Sequence, residues 1–392
     1  MPPHSTQADP FTPRLTTPRL EPLAPEDRNE AQRAMLAKRA DYNIYKTLAH
    51  HLEFVRAFGA IGGFTFQGSS LPPREREIIM LRMGWLCQAE YEWSQHARIA
   101  KSSAGLTDGD LHRIAEGPAA PGWSDFEASL LRMVDELRHD AMISDVTWPA
   151  LHAQYSDQRI MEALFTAAQY QLVSMMLNSL GIQLDPGLQD RLPRDLPLPA
   201  PAARPTAQRL VTPRIKALTE AEMTPEQRDL VKPQARNGAV PNLYATMANH
   251  PKLYGPRLAL GRYLQRGSLL PPKARELLIL RTAWNIRAEY EWSHHVEAAK
   301  AAGFTDTDVA RIVAGPSASG WSEEHAALLR AADELRREAF ISDATWQTLL
   351  RHYDMKQMID IVGTVGGYTM TGLAINSFGI QAEPGYPAMP KD

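Results

Sequence analysis

The sequence predicts an all-α protein made of two copies of one helical unit, and three observations carry that expectation. A twelve-residue segment occurs twice at an offset of 199 residues, as Trp85-Leu-Cys-Gln-Ala-Glu-Tyr-Glu-Trp-Ser-Gln-His96 and Trp284-Asn-Ile-Arg-Ala-Glu-Tyr-Glu-Trp-Ser-His-His295, with eight of the twelve positions identical. Helix-start signals precede apolar residues at helical spacing throughout. No run alternates cleanly for about six residues between turn signals, as a half-buried strand would.

The elements follow in order. Residues 1–25 carry seven prolines and are expected to form an extended tail. Residues 26–191 form the first expected domain. Its landmarks begin with Asn43-Ile-Tyr-Lys-Thr-Leu-Ala-His50 and Leu71-Pro-Pro-Arg-Glu-Arg-Glu77. Pro72 and Pro73 suit the first turn of a helix, where a missing N–H costs little, and Ile78, Leu81 and Trp85 continue it. Thr107 with Asp110 and Ser124 with Glu127 read as helix N-caps. Asn178, just before Gly181, reads as a helix C-cap. Residues 192–213 form a stiff, proline-rich linker. Residues 214–392 repeat the landmarks at Asn242, Leu270-Pro-Pro, Thr305, Ile341 and Asn376. Ile359–Ile375 is the most membrane-like stretch, but Asp360 and its short length mark it as a buried helix.

Composition removes several function classes. With 42 basic and 45 acidic residues the net charge is −3, so there is no positive field for nucleic acid and no basic run for a membrane surface. Cys87 is the single cysteine, which forbids an intrachain disulfide and fits a cytoplasmic location; Ile286 takes its place in the second copy. The N-terminus has no secretory pattern. The sequence has no His-Glu-x-x-His, no Cys/His cluster, no phosphate loop and no nucleophile elbow, so neither metal nor cofactor is expected. Acid–base chemistry on a small molecule is what remains on the catalytic side.

The repeated segment is where such chemistry would sit. At 100° per residue, Glu92, Trp93 and His96 fall within about 60° of Ala89 on one helix face. A carboxylate one turn before an imidazole can fix its tautomer and raise its pKa toward a proton-transfer role near neutrality. Ala288, Glu291, Trp292 and His295 repeat the face. Glu77 and Glu276, each followed by four apolar residues, are a relay candidate. The plainer readings are a surface helix pair contributing a few tenths of a kcal/mol, and a salt bridge from Glu77 to Arg76 or Arg82.

The Leu-Pro-Pro-x-x-Arg-Glu start, the Glu-Tyr-Glu-Trp-x-x-His string and the Gly-Leu/Phe-Thr before the next helix resemble the carboxymuconolactone decarboxylase family, which shares the alkylhydroperoxidase D-like fold. The resemblance covers both halves and implies two such domains packed as an internal pseudo-dimer. It implies a cofactor-free enzyme acting on a lactone or related unsaturated carboxylated compound of aromatic catabolism. His96 and His295 would be proton donors, oriented by Glu92 and Glu291, with Glu77 and Glu276 completing a relay. Ala89 and Ala288 would leave a gap beside the substrate, and Trp93 and Trp292 would wall the pocket. Family peroxidases use Cys-x-x-Cys; here Ala89 and Glu92, or Ala288 and Glu291, stand at those positions, so a dithiol cycle has no thiols. A homo-oligomer is implied, three chains making a pseudo-hexamer. A non-catalytic ligand-binding or assembly protein is the alternative, ahead of a peroxidase-like oxidoreductase.

Overall fold

The structure, a computed structural model, describes residues 15–236 and 238–391. The expected proline-rich tail lies outside the described residues over positions 1–14. The first half contains α1 (Glu30–Leu36), α2 (Asn43–Leu48), α3 (Leu52–Gly63), α4 (Pro73–Leu86), α5 (Glu90–Ser103), α6 (Asp108–Glu116), α7 (Asp125–His139), α8 (Thr147–His152) and α9 (Asp157–Leu180). The second repeats the order as α10 (Pro225–Val231), α11 (Asn242–Met247), α12 (Pro251–Arg262), α13 (Pro272–Ile286), α14 (Glu289–Ala301), α15 (Asp306–Ala314), α16 (Glu323–Glu338), α17 (Asp343–Leu350) and α18 (Met355–Phe378). Among the described residues there is no strand beyond one isolated bridge, Arg236 to Ala239.

Local chemistry places these ends. Pro73 and Pro272 occupy the first turns of α4 and α13. Reciprocal capping boxes start α6 (Thr107, Asp110), α7 (Ser124, Glu127) and α15 (Thr305, Asp308). Between α4 and α5 the chain reverses through Gln88 at φ 52°, and between α13 and α14 through Arg287 at φ 53°. Both are left-handed conformations that non-glycine residues seldom adopt. This sharp reversal packs α5 antiparallel beside α4 and brings Glu77 opposite His96.

The halves join along α9 and α18, with α3 packed on α12. Gly366 makes the close approach possible: a Cβ there would lie 2.2 Å from Leu172 Cδ1. α18 is long and apolar enough to span a membrane, but it is the buried partner of α9. The contacts across the pseudo-twofold are reciprocal. Arg19 donates to the carbonyls of Ser179 and Ile341, and Arg214 to those of Ser377 and Ile143. His250 Nε2 lies 2.8 Å from Glu162 Oε1, and His51 Nε2 lies 3.3 Å from Asp360 Oδ1. Asn178 and Asn376 correct the C-cap reading. Gly181 and Gly379 do end their helices in the left-handed conformation. Each asparagine amide, however, donates to one carbonyl in its own half and one across the interface: Asn178 to Cys87 and to Ala339, Asn376 to Ile286 and to Ala141. A buried turn end needs a partner for each carbonyl, and a side chain from the other half supplies it. In the linker, Arg204 stacks over Trp284, and Arg209 donates to the carbonyls of Ile286 and Arg287.

Candidate active site

Each half holds a cavity that reaches one of the two repeated imidazoles. The first, about 900 Å³, lies between α3, α5 and α9 and is lined by Glu92 and His96. The second, about 410 Å³, is lined by Glu276, Glu291 and His295.

In the first half Glu77, fully buried on α4, holds His96 from below: its Oε2 lies 2.7 Å from Nδ1. Glu92 approaches from the same helix, its Oε1 3.0 Å from Nε2, yet this oxygen accepts no hydrogen bond. At that distance the Glu92 carboxylate acts directly on the Nε2 side of the ring. The roles expected from the sequence are exchanged: Glu77 orients the ring and Glu92 supplies charge. Arg76 stays close to Glu77, at 3.5 Å, whereas Arg82 is committed to Asp135. Burial alone lowers the His96 pKa. Glu77 and Glu92 outweigh it and raise the value from 6.5 to about 10, beyond the near-neutral range expected for a single carboxylate partner. Tyr170 packs its ring edge-on against the imidazole at 4.8 Å, and its phenol is pushed up by burial and then by Glu92 and Glu77.

The second half is not a copy. Glu276 Oε2 lies 2.7 Å from His295 Nδ1 and Tyr368 packs on the ring, as before. Glu291 differs: neither carboxyl oxygen has a hydrogen-bond partner, so it does not orient His295. Burial pushes its pKa well above the carboxylate range, opposed only by Arg257.

The four substrate-binding expectations are corrected. Trp93 and Trp292 are almost fully buried in the core against Trp85 and Trp284, and line neither cavity. Ala89 and Ala288 are the N-caps of α5 and α14, with non-helical backbones and no exposed surface. The 100° count fails at its own origin because Ala89 precedes the helix. The indole therefore turns into the core while the imidazole turns to the cavity.

Residues that sequence reading missed line the cavities. Lys38, Arg39, Arg56 and Arg98 border the first, and Arg257, Arg262, Arg266 and Arg275 the second. Except for Arg275, their repeat-equivalent positions carry no matching cation (Arg56 pairs with Gly255, Arg257 with Phe58), so comparing the halves conceals them. Gln169 also lines the first cavity; it is 1% exposed, with neither amide atom hydrogen-bonded. The repeat puts Gly367 in its place. Cys87 is buried in the core beside Met83. Among the described residues no three His, Cys, Asp or Glu side chains converge as a metal site.

Comparison with known proteins agrees with the duplication. The profile of the carboxymuconolactone decarboxylase family matches residues 53–136 and again 251–334, from α3 to α7 and from α12 to α16. No curated protein matches the chain. Similar solved structures include an alkylhydroperoxidase AhpD core, an uncharacterized peroxidase-related protein from Ralstonia eutropha JMP134 (16% identity, TM-score 0.39, covering 44% of this chain and 95% of that one). Another peroxidase-related protein, from Silicibacter sp. TM1040, has 19% identity and TM-score 0.39 over 44% of this chain and 94% of its own. The debrominase Bmp8 has 16% identity and TM-score 0.36 over 44% and 92%. The two profile matches and the twice-built helix pair agree: each half of this chain carries a region of the carboxymuconolactone decarboxylase family, in tandem.

Proposed function

We propose that the first cavity is the active site of a cofactor-free acid–base enzyme acting on a small unsaturated carboxylated compound, a lactone of the kind the family name describes. The observation that carries this reading is a buried imidazole, hydrogen-bonded to Glu77 at 2.7 Å, in the wall of a cavity bordered by four cationic side chains. Lys38, Arg39, Arg56 and Arg98 draw an anion in and neutralise its carboxylate. Decarboxylation breaks the bond between that carboxylate and the ring. Carbon dioxide leaves, and the electron pair moves through the conjugated system onto the lactone carbonyl. The His96 Nε2–H then delivers a proton to the terminal carbon of that system. Nδ1 keeps its bond to Glu77, which compensates the positive ring before transfer and fixes its orientation. Isomerisation or lactone opening would use the same groups, and the assay separates them: carbon dioxide release from a carboxylated unsaturated lactone by the full chain supports decarboxylation. A rate indifferent to pH up to and beyond about 10 would contradict a protonated His96 as donor.

Gln169 offers both an N–H and a carbonyl to this cavity without an internal partner. An amide left so in the folded chain gains its hydrogen bonds from what enters. Gln169→Leu is expected to raise KM by roughly tenfold, about the value of one lost polar contact, with a smaller change in kcat. Steady-state kinetics on the same lactone checks this, and an unchanged KM would show that Gln169 does not meet the substrate.

A further inference from the structure

The second cavity holds two buried groups of opposite chemistry that do not pair with each other. Arg257 is 8% exposed; its guanidinium donates to Thr371 Oγ1 at 3.0 Å and has no carboxylate within ion-pair distance among the described residues. Glu291 is 3% exposed, lines the same cavity and has no hydrogen-bond partner at either oxygen. A buried cation without an anion and a buried carboxyl without a donor or acceptor are each costly, and their direct pairing would relieve both. Both line the same cavity, yet no hydrogen bond or ion pair among the described residues joins them. In the first half the equivalent carboxyl, Glu92, has His96 Nε2 at 3.0 Å, and Phe58 stands where Arg257 does, so this arrangement belongs to the second half alone.

We propose that the second cavity is a ligand site in its own right for a small planar monocarboxylate, whose carboxylate bridges Arg257 and Glu291. One ligand oxygen accepts from the guanidinium; the other accepts the O–H of the Glu291 carboxyl, which burial drives toward its protonated form. The volume of about 410 Å³ holds a molecule of benzoate size, and Leu258, Leu264 and Tyr368 give its ring apolar and aromatic walls. Arg262 and Arg266 stand exposed at the cavity and favour entry of an anion. Those apolar walls suit an organic carboxylate better than a hydrated inorganic anion. The assignment stands whether or not the first cavity is catalytic.

The test is a ligand-observed NMR titration of the full chain with sodium benzoate, and with inorganic phosphate as competitor. Wild type is expected to bind benzoate below about 10 mM, a weak affinity normal for a fragment. Arg257→Gln and Glu291→Leu are each expected to weaken it by roughly tenfold or more, while Glu291→Gln, whose amide still donates, stays within about threefold. Should Arg257→Gln fold poorly, the Glu291→Leu and Glu291→Gln pair decides alone. Absence of binding by wild type, equal binding by Glu291→Leu and Glu291→Gln, or displacement by phosphate as effective as benzoate itself would each overturn the assignment.

Discussion

A His96→Gln variant is expected to lose about 100- to 10,000-fold in kcat, the range that a positioned proton donor contributes. Glutamine roughly keeps the volume and can still hydrogen-bond Glu77, so the fold survives while the transferable proton does not. Urea unfolding of the variant distinguishes lost chemistry from lost structure. His295→Gln is expected to cost at least about tenfold less, because Glu291 leaves that imidazole unassisted and its cavity is less than half the size. Comparable losses from the two variants would place the chemistry in both halves. The same substitution alters the pH dependence of stability. The His96 pKa is raised in the folded chain, so its stabilising contribution is complete below the unfolded value of 6.5 and is lost as pH rises through about 10. Wild type should therefore lose stability across that window, and His96→Gln should lose less.

The second large effect falls on the junction between the halves. Arg336, 3% exposed at the end of α16, donates to the carbonyls of Arg138 (2.5 Å), His139 (2.6 Å) and Ala203 (2.9 Å). Arg138 returns the contact to the carbonyls of Arg336 and Arg337. The carbonyls of Arg138 and His139 end α7 and have no further helical turn to serve them, while that of Ala203 belongs to the linker. Arg336→Met fills similar space but leaves three acceptors to find water or go without. Each lost bond to a charged donor counts for about 1.5–3 kcal/mol, and relief of the repulsion between two close guanidiniums offsets part of the sum. A net loss of about 3 kcal/mol is expected, seen as a lower urea midpoint with an unchanged slope. A midpoint within about 0.5 kcal/mol of wild type would mean that the halves are held by helix packing alone.

Much of this architecture was legible in the chain because its signals are local. The Leu-Pro-Pro helix starts, the Thr/Asp and Ser/Glu caps and the left-handed glycines act within one turn, and the duplicated order marked the two units. That Glu77 needs a partner was also legible, since a charged residue before a run of apolar ones must be partnered; that the partner would be His96 was not. What could not be read depends on neighbours distant in sequence. Helical periodicity put Ala89, Trp93 and His96 on one face, but Ala89 caps the helix from outside it, and the indole packs into the core against Trp85. Asn178 and Asn376 looked like helix ends because their acceptors belong to other elements, one of them in the other half. The cationic rims and Gln169 arise mostly from positions where the two copies differ, and the uncoupled Glu291 from different surroundings of a shared residue, whereas a repeat draws attention to what is shared.

The central claim is that Glu77 and Glu92 keep the His96 ring positively charged at neutral pH in a cavity without thiols. A two-dimensional ¹H–¹⁵N NMR titration of the imidazole nitrogens, assigned with His96→Gln, tests it without a substrate. The expected result is an imidazolium signal unchanged through pH 8 that titrates at about 10. An ordinary midpoint near 6.5 would contradict the account.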